Sequence, residues 1–458
     1  MNNWRQKYHI EPKSGWLNDP NGLCFFKGYY HVFYQYAKEV TGGNKYWAHL
    51  KSKDLLHWEE APIFLSPEYD YNKNGAYSGS AIIKDDIMHI FYTGNVKKDG
   101  DFDYIYEGRE HNTVHVTSKD GINADSSKVV MYNKDYPEGL SCHVRDPKVF
   151  EYEGKYYMVI GARTMEDKGE VLVFESEDLD NWNHIRTFET MARIGYMWEC
   201  PDLFEINGQW ILMACPQGLE GGKYEFQNIY SCGYFIIEGD FRTNGFITEY
   251  KEADFGFDFY APQTFVHDGR RLLLGWMGMP DASYTNPTIE YGYQHCMSVF
   301  RELDFANNIL YMKPVKEFEH LRKELFEYDE ENTSYQVLDD KRAFDLELQN
   351  FGDKFEIEIF DTLKLDFDAG RGDLELSFIA NGYGREKRFL RTKSIENLRL
   401  MIDASSVEVF VNDGKQVMST RMYPSNYSDI KVSGNIRGKL YSLDTVSYTH
   451  LRAHETDS

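Results

Sequence analysis

A repeated hairpin constrains the fold of this 458-residue chain more than any other feature. Five segments each contain a short strand, a polar turn with Gly or Asp and an aromatic-rich second strand, at intervals of about sixty residues. Helical periodicity is nearly absent between them. The segments begin at Gly22, Ser80, Lys148, Leu203 and Thr264. The repeat predicts five antiparallel blades around a central axis, in preference to a β-sandwich with coincidentally similar strands.

The last third of the chain has a different pattern. Residues 314–329 contain apolar positions at helical spacing, which predict a short linker helix. Apolar residues alternate in short runs across residues 330–441, and Asn412-Asp413-Gly414 predicts a tight hairpin turn. We therefore predict an all-β protein, with a five-bladed β-propeller over residues 1–313 followed by a C-terminal β-sandwich. Residues 442–458 are polar and unpatterned, and we interpret them as a frayed or foreign extension without function.

Charge and composition exclude several classes of partner. A formal net charge of -24 argues against binding to nucleic acid or to an anionic membrane surface. No apolar run is long enough to span a bilayer, and the polar stretch from Met1 to Gly15 lacks the apolar core of a signal peptide. The six cysteines are scattered, without metal-ligand spacing. These features predict a cytoplasmic protein with free thiols, and they leave its oligomeric state open.

The residues just before the first strand of each hairpin carry the chemistry. If that strand is innermost in its blade, the five segments converge at one mouth of the central channel. Three of them bring a carboxylate, from Asp19, Asp146 and Glu199. Each alone has a structural explanation, such as an ion pair between Arg145 and Asp146. As a set they indicate glycoside hydrolysis, which needs two carboxylates at the scissile bond and further groups that hold the sugar hydroxyls.

Glu199 is the candidate for the general acid. It lies between Trp198 and Cys200, and an apolar setting favours the protonated form that a general acid requires. The alternative is a glutamate that merely reaches solvent. The sequence therefore predicts an apolar surrounding for this carboxyl group.

Three motifs closely resemble the signatures of family 32 glycoside hydrolases, the invertases and β-fructosidases. They are Trp16–Gly22, Arg145–Pro147 and Trp198–Asp202. Accessory motifs match at Tyr77–Ser80 and Phe259–Gln263, and the resemblance continues to about Pro424. In style the motifs are most similar to those of the bacterial sucrose-6-phosphate hydrolases.

The resemblance implies a role for each matching residue. Asp19 corresponds to the nucleophile, Glu199 to the acid/base, and Asp146 to the carboxylate that holds fructose hydroxyls and stabilises the transition state. The implied mechanism retains the anomeric configuration and needs no metal or organic cofactor, since carboxylic acids supply both functions. Substrate-pocket positions are matched by Asn18, Gln35, Trp47, Tyr77, Ser78, Arg145, Tyr260 and Trp276. For Trp276, packing in the core is an equal alternative.

Several alternatives to an enzyme that hydrolyses small sucrose-type sugars remain open from the sequence. The same site suits a fructan hydrolase or a fructosyltransferase. A second alternative is an inverting five-bladed glycosidase that acts on arabinose or xylose polymers. A non-catalytic sugar-binding propeller is disfavoured, because a lectin needs neither a nucleophile nor an acid. A cytoplasmic location favours imported disaccharides, with or without a 6-phosphate. The candidate phosphate ligands near the predicted leaving-group edge are Lys38, Lys45, His49 and Lys51.

Overall fold

Five antiparallel sheets form the first part of the computed structural model, which describes residues 4–329, 333–337 and 341–446. Blade 1 consists of β1 (Gly15–Phe26), β2 (Tyr29–Ala37), β3 (Tyr46–Ser52) and β4 (Trp58–Leu65). Blade 2 consists of β5 (Ala76–Lys84), β6 (Ile87–Lys97), β7 (Arg109–Ser118) and β8 (Ser126–Met131). Blade 3 consists of β9 (Leu140–Tyr152), β10 (Lys155–Thr164), β11 (Gly169–Ser176) and β12 (Asn183–Phe188).

The last two blades carry short additional strands. Blade 4 consists of β13 (Met197–Ile206), β14 (Gln209–Gln217), β15 (Gly233–Glu238), β16 (Phe246–Ile247) and β17 (Lys251–Glu252). The chain then forms β18 (Tyr260–His267), β19 (Arg270–Met277), β20 (Tyr293–Gln294), β21 (Cys296–Met297), β22 (Arg301–Ala306) and β23 (Ile309–Pro314). All of these except β20 belong to blade 5. Short 3-10 helices lie at Asn133–Asp135 and Pro287–Tyr291.

The ring of blades is closed by the N-terminal segment and β20. Strand β20 pairs in parallel with β1, with Gly15 opposite Tyr293 and Trp16 opposite Gln294. The Met297 N–H, in blade 5, donates to the Ile10 carbonyl at 2.8 Å. These backbone hydrogen bonds join the last blade to the first, so the five inner strands stand around one closed channel.

The C-terminal domain is a single sheet that folds over into two layers. Strand β26 pairs with β30 through its first half and with β27 through its second half, while β33 follows it along both. The two layers enclose a separate apolar core. The strands are β24 (Arg322–Tyr328), β25 (Ser334–Gln336), β26 (Phe344–Ile359), β27 (Leu363–Asp368), β28 (Asp373–Phe378), β29 (Lys387–Arg391), β30 (Asn397–Asp403), β31 (Ser406–Val411), β32 (Gln416–Arg421) and β33 (Asp429–Leu443). The predicted five-bladed propeller followed by a β-sandwich is therefore confirmed.

The domain boundary differs from the predicted one. In place of a helix over residues 314–329, a 3-10 helix (Lys316–Leu321) is followed by β24, which pairs with β33 of the sandwich. The helical spacing was misleading because Phe318 and Leu321 are buried within the short 3-10 helix, whereas Leu325 lies on the edge strand β24 and is 49% exposed. The sandwich therefore begins near residue 322 instead of residue 330.

The predicted tail also begins too early. Strand β33 continues to Leu443, and the buried Val446 donates its N–H to the Lys7 carbonyl at 2.8 Å. Residues 442–446 are thus part of the fold, while residues 447–458 lie outside the described residues. None of the helices in the described ranges is both long and apolar enough to cross a membrane.

A buried cluster of charges joins the two domains. Arg301 of blade 5 donates to Glu408 of the sandwich at 2.7 Å and to Asp254 of the propeller at 3.2 Å. His9 lies between Asp403 and Glu408, at 2.8 and 3.0 Å. Burial alone would lower the pKa of His9, but these two carboxylates outweigh it and raise the pKa to about 9. Because an unpaired buried charge is costly, we expect the cluster to disfavour separation of the sandwich from the propeller.

Candidate active site

Every inner strand carries a β-bulge at the same level of the channel. In each blade, two consecutive residues of the inner strand face a single residue of the next strand. The bulged pairs are Asn18–Asp19, Tyr77–Ser78, Asp146–Pro147, Cys200–Pro201 and Ala261–Pro262. A bulge turns side chains away from the regular alternation, so all five strands direct side chains to the channel mouth.

Proline and positive φ angles account for these bulges locally. Three bulged pairs end in proline, which has no N–H to donate to the ladder. The residues before those prolines have left-handed φ angles, of 68° at Asp146, 46° at Cys200 and 49° at Ala261. Such conformations are unfavourable for non-glycine residues and cluster at functional sites. The local sequence therefore breaks the ladder where the predicted site residues lie.

Asp19 is held in a ring of hydrogen bonds. Its Oδ2 accepts from the Ser78 hydroxyl at 2.5 Å, and its Oδ1 accepts from Asn18 Nδ2 at 3.0 Å. Gln35 completes the ring, because its Oε1 accepts from Asn18 at 2.9 Å and its Nε2 donates to Ser78 at 2.5 Å. Burial raises the pKa of Asp19, and the hydrogen bond from Ser78 opposes that shift. Four predicted site residues are thus brought together.

Asp146 lies beside Asp19, with Cys200 between them. The Cys200 N–H donates to Asp146 Oδ2 at 3.0 Å, and its sulfur lies 3.5 Å from Asp19 Oδ2 and 3.7 Å from Asp146 Oδ2. Burial raises the pKa of Asp146 to about 7. The Arg145 cation opposes this shift, and the negative charges of Glu199 and Asp19 add to it. The carboxylates are therefore close enough to affect one another's ionisation.

Glu199 lies in a polar surrounding, and the predicted apolar setting is wrong. Its Oε1 accepts from Arg145 Nη2 at 2.6 Å and from Arg145 Nε at 3.2 Å. Its Oε2 accepts from Gln217 Nε2 at 2.7 Å and from the Tyr260 hydroxyl at 2.6 Å. Successive side chains in a strand point to opposite faces, so Trp198 enters the core while Glu199 faces the mouth. The Glu199 carboxylate therefore accepts four hydrogen bonds.

Two of the predicted pocket aromatics lie beneath the mouth. Trp47 has no exposed surface, and its ring packs beside Phe33 and Tyr92. Its Nε1 donates to the Tyr77 carbonyl at 2.9 Å, which supports the bulge that carries Ser78. Trp276 is only 2% exposed, and its ring packs edge-on against Tyr260, in agreement with the core-packing alternative. Tyr77 itself is half-buried.

The four candidate phosphate ligands lie in different parts of the structure. His49 is buried in blade 1, where it stacks on Phe33, and Lys51 pairs with Glu59 at 3.4 Å. Both lie away from the mouth, because β3 runs away from it after Trp47, which pairs with Gln35. Lys38 lies over the Tyr46 ring at 4.9 Å.

Lys45 is near Asp19. Its Nζ is 4.9 Å from the centre of the Trp16 ring. Burial lowers the pKa of Lys45 to about 8, against the opposing effect of the Asp19 charge. Lys45 therefore belongs to the Asp19 side of the mouth.

Gln217 and the Cys200 thiol were missed from the sequence as site groups. Gln217 ends β14 and reaches the mouth because it pairs with Met197, two residues before Glu199. No motif marks it. Cys200 stood inside the Glu-Cys-Pro motif, and that position was the only signal. Within the described residues, no group of three or more His, Cys, Asp or Glu side chains is arranged to hold a metal ion.

Comparison with known proteins agrees with this geometry. Residues 9–314 match the model of the glycosyl hydrolases family 32 N-terminal domain, and residues 318–450 match that of the family 32 C terminal. A sucrose-6-phosphate hydrolase of Bacillus subtilis is 38% identical over 441 residues, covering 92% of this chain and 89% of the relative. One from Klebsiella pneumoniae is 38% identical over 451 residues, covering 93% and 90%.

Solved structures resemble the whole chain. The structure of sucrose-6-phosphate hydrolase from Lactobacillus gasseri has a TM-score of 0.86 at 29% identity, covering 97% of this chain and 94% of that one. The Bombyx mori GH32 β-fructofuranosidase BmSUC1 has a TM-score of 0.85 at 30% identity, with the same coverage. The resemblance predicted from the motifs is confirmed, and this chain belongs to family 32 of the glycosyl hydrolases and is a glycoside hydrolase.

Proposed function

We propose that the protein is a retaining β-fructofuranosidase. Asp19 attacks the anomeric carbon of a fructosyl unit while Glu199 gives its proton to the departing glycosidic oxygen. Water then attacks the fructosyl–Asp19 ester and passes its proton to Glu199, so that fructose leaves with retained configuration. The observation that carries the proposal is the convergence of Asp19, Asp146 and Glu199 in one cluster at the channel mouth.

The surrounding groups suit these roles. The Ser78 and Asn18 donors orient the Asp19 carboxylate for attack. The Arg145 guanidinium stabilises the carboxylate that Glu199 becomes after it has given up its proton. Asp146 accepts hydrogen bonds from fructose hydroxyls, and its charge stabilises the oxocarbenium-like transition state.

Azide rescue tests the mechanism. In Glu199→Ala, with an activated fructosyl substrate, azide should capture the covalent intermediate and yield the β-fructosyl azide, as identified by NMR. Asp19→Ala is the matched control, because azide in the vacated space would attack directly and yield the α-azide. An α product from Glu199→Ala would contradict a retaining mechanism.

We further propose a small sucrose-type substrate, with preference for a 6-phosphate on its glucosyl unit. The names of the relatives support the phosphate preference. The test is kcat/KM for sucrose and for sucrose 6-phosphate at two salt concentrations. The phosphorylated sugar should be preferred by more than about tenfold, equivalent to about 1.4 kcal/mol, and the preference should shrink as salt rises. Equal values would indicate a plain invertase, and efficient inulin hydrolysis would contradict the small-substrate proposal.

A further inference from the structure

A row of basic side chains extends outward from the Glu199 carboxylate. Arg145 contacts Glu199 through Nη2 and His143 Nδ1 through Nη1, the latter at 2.5 Å. His143 Nε2 lies 3.2 Å from the Tyr104 carbonyl and 3.4 Å from Arg109 Nη1. The row therefore ends at Arg109, the first residue of β7 in blade 2.

The position of the proton on His143 determines whether Arg109 can donate a hydrogen bond to this ring. Burial, together with the nearby cations Arg145 and Arg109, lowers the pKa of His143 to about 2, so its imidazole is neutral. Nδ1 faces a guanidinium donor and must be the accepting nitrogen. Nε2 then carries the hydrogen and donates to the Tyr104 carbonyl. Arg109 consequently meets an N–H instead of an acceptor, and its guanidinium gains no hydrogen bond from His143.

Within the described part of the chain, Arg109 is a half-buried cation without a compensating anion. Its Nε is enclosed and has no hydrogen-bond partner among the same residues. The adjacent acid, Glu110, pairs with Lys98 at 2.9 Å, and no carboxylate among the described residues forms an ion pair with Arg109. Lys97 lies directly opposite in the ladder and adds a second positive charge. Burial lowers the pKa of Arg109, which indicates that an anion bound there would be stabilised.

The position of Arg109 relative to Glu199 identifies which part of the substrate it faces. Glu199 protonates the departing oxygen, so the leaving sugar lies against Glu199 and its neighbours. Arg109 is reached from Glu199 through Arg145 and His143, on that side of the site. Lys45, in contrast, lies by Trp16, close enough for the Asp19 charge to shift its pKa.

We propose that Arg109 is a specificity-determining residue that binds a phosphomonoester on the leaving glucosyl unit. Guanidinium N–H groups match phosphate oxygens in pairs, and their hydrogen bonds are charge-assisted. Arg145 is engaged with the Glu199 carboxylate, whereas no carboxylate among the described residues forms an ion pair with Arg109, so the Arg109 guanidinium is available to a ligand. The inference rests on the proposed β-fructofuranosidase function.

The test is the ratio of kcat/KM for sucrose 6-phosphate to that for sucrose. Arg109→Gln should lower this ratio by at least about tenfold, and Arg109→Lys should keep part of it because the charge remains. Lys98→Gln is the matched control, since Lys98 is an exposed cation in the same region whose charge is paired with Glu110. It should leave the ratio within about threefold. Lys45→Gln tests in parallel whether Lys45 binds the phosphate instead of Arg109.

Inhibition by glucose 6-phosphate gives a second measurement that needs no phosphorylated substrate. Its inhibition constant in sucrose hydrolysis should rise about tenfold in Arg109→Gln, while that of glucose changes little. A wild-type enzyme with equal kcat/KM for the two sugars would overturn both the phosphate preference and the Arg109 assignment. A wild-type preference that survives in Arg109→Gln, or that is lost in Lys45→Gln instead, would overturn the Arg109 assignment alone.

Discussion

Asp19→Ala should lower kcat for sucrose by at least about a thousandfold, because the substitution removes the proposed nucleophile and leaves only binding and acid catalysis. The fold should survive, since Asp19 lies at the channel mouth in a bulge where Ser78 and Asn18 still bond to Gln35. The measurement is steady-state kcat, with circular dichroism and the melting temperature as evidence of folding.

An exposed carboxylate provides the control for Asp19. Asp70 lies in the connection between β4 and β5 with its side chain exposed, and Asp70→Ala should retain wild-type turnover. A folded Asp19→Ala enzyme with kcat within about tenfold of wild type would exclude Asp19 as the nucleophile.

Arg301→Met should lower the free energy of unfolding by about 3–5 kcal/mol. The substitution leaves Glu408 and Asp254 buried without their shared cation, while His9 and the Val299 N–H remain as partners of Glu408. Methionine has a similar length and creates little empty volume, so the loss of charge is the main effect. Urea unfolding monitored by tryptophan fluorescence measures the change.

Arg242→Met is the matched control for this prediction. Arg242 also has two carboxylate partners, Glu153 at 2.5 Å and Asp240 at 2.6 Å, but they lie at the propeller surface. Ion pairs of this kind contribute about 0–1 kcal/mol, because water solvates the charges in both states. Equal losses in Arg301→Met and Arg242→Met would contradict the expected contribution of the interdomain cluster to stability.

The repeat, the alternation and the position of the motifs were readable from the sequence alone. A strand has a side-chain period of two, and a turn depends on a few adjacent residues, so both leave local signals. The five-bladed propeller and the sandwich followed from those signals. The gathering of Asp19, Asp146 and Glu199 also followed, because the three motifs stand at equivalent positions of the repeated hairpin, although the structure places them within the inner strands and not before them.

Tertiary structure decided the features that depend on distant residues. Glu199 obtains its donors from three other strands, through Arg145, Gln217 and Tyr260, so its flanking residues were a poor guide to its surrounding. Only packing placed Trp47 beneath the mouth and turned the expected linker helix into the edge strand β24.

The row of basic groups that ends at Arg109 is the clearest case of such dependence. Arg145 and His143 belong to blade 3, while Arg109 belongs to blade 2, more than thirty residues earlier. No motif spans that separation, and an arginine at the start of a strand is usually a solvated surface charge. The sequence thus determined the fold and the acids, through patterns that act over a few residues. The partners of those acids, and the cation left without one, were decided by contacts between blades that no local pattern records.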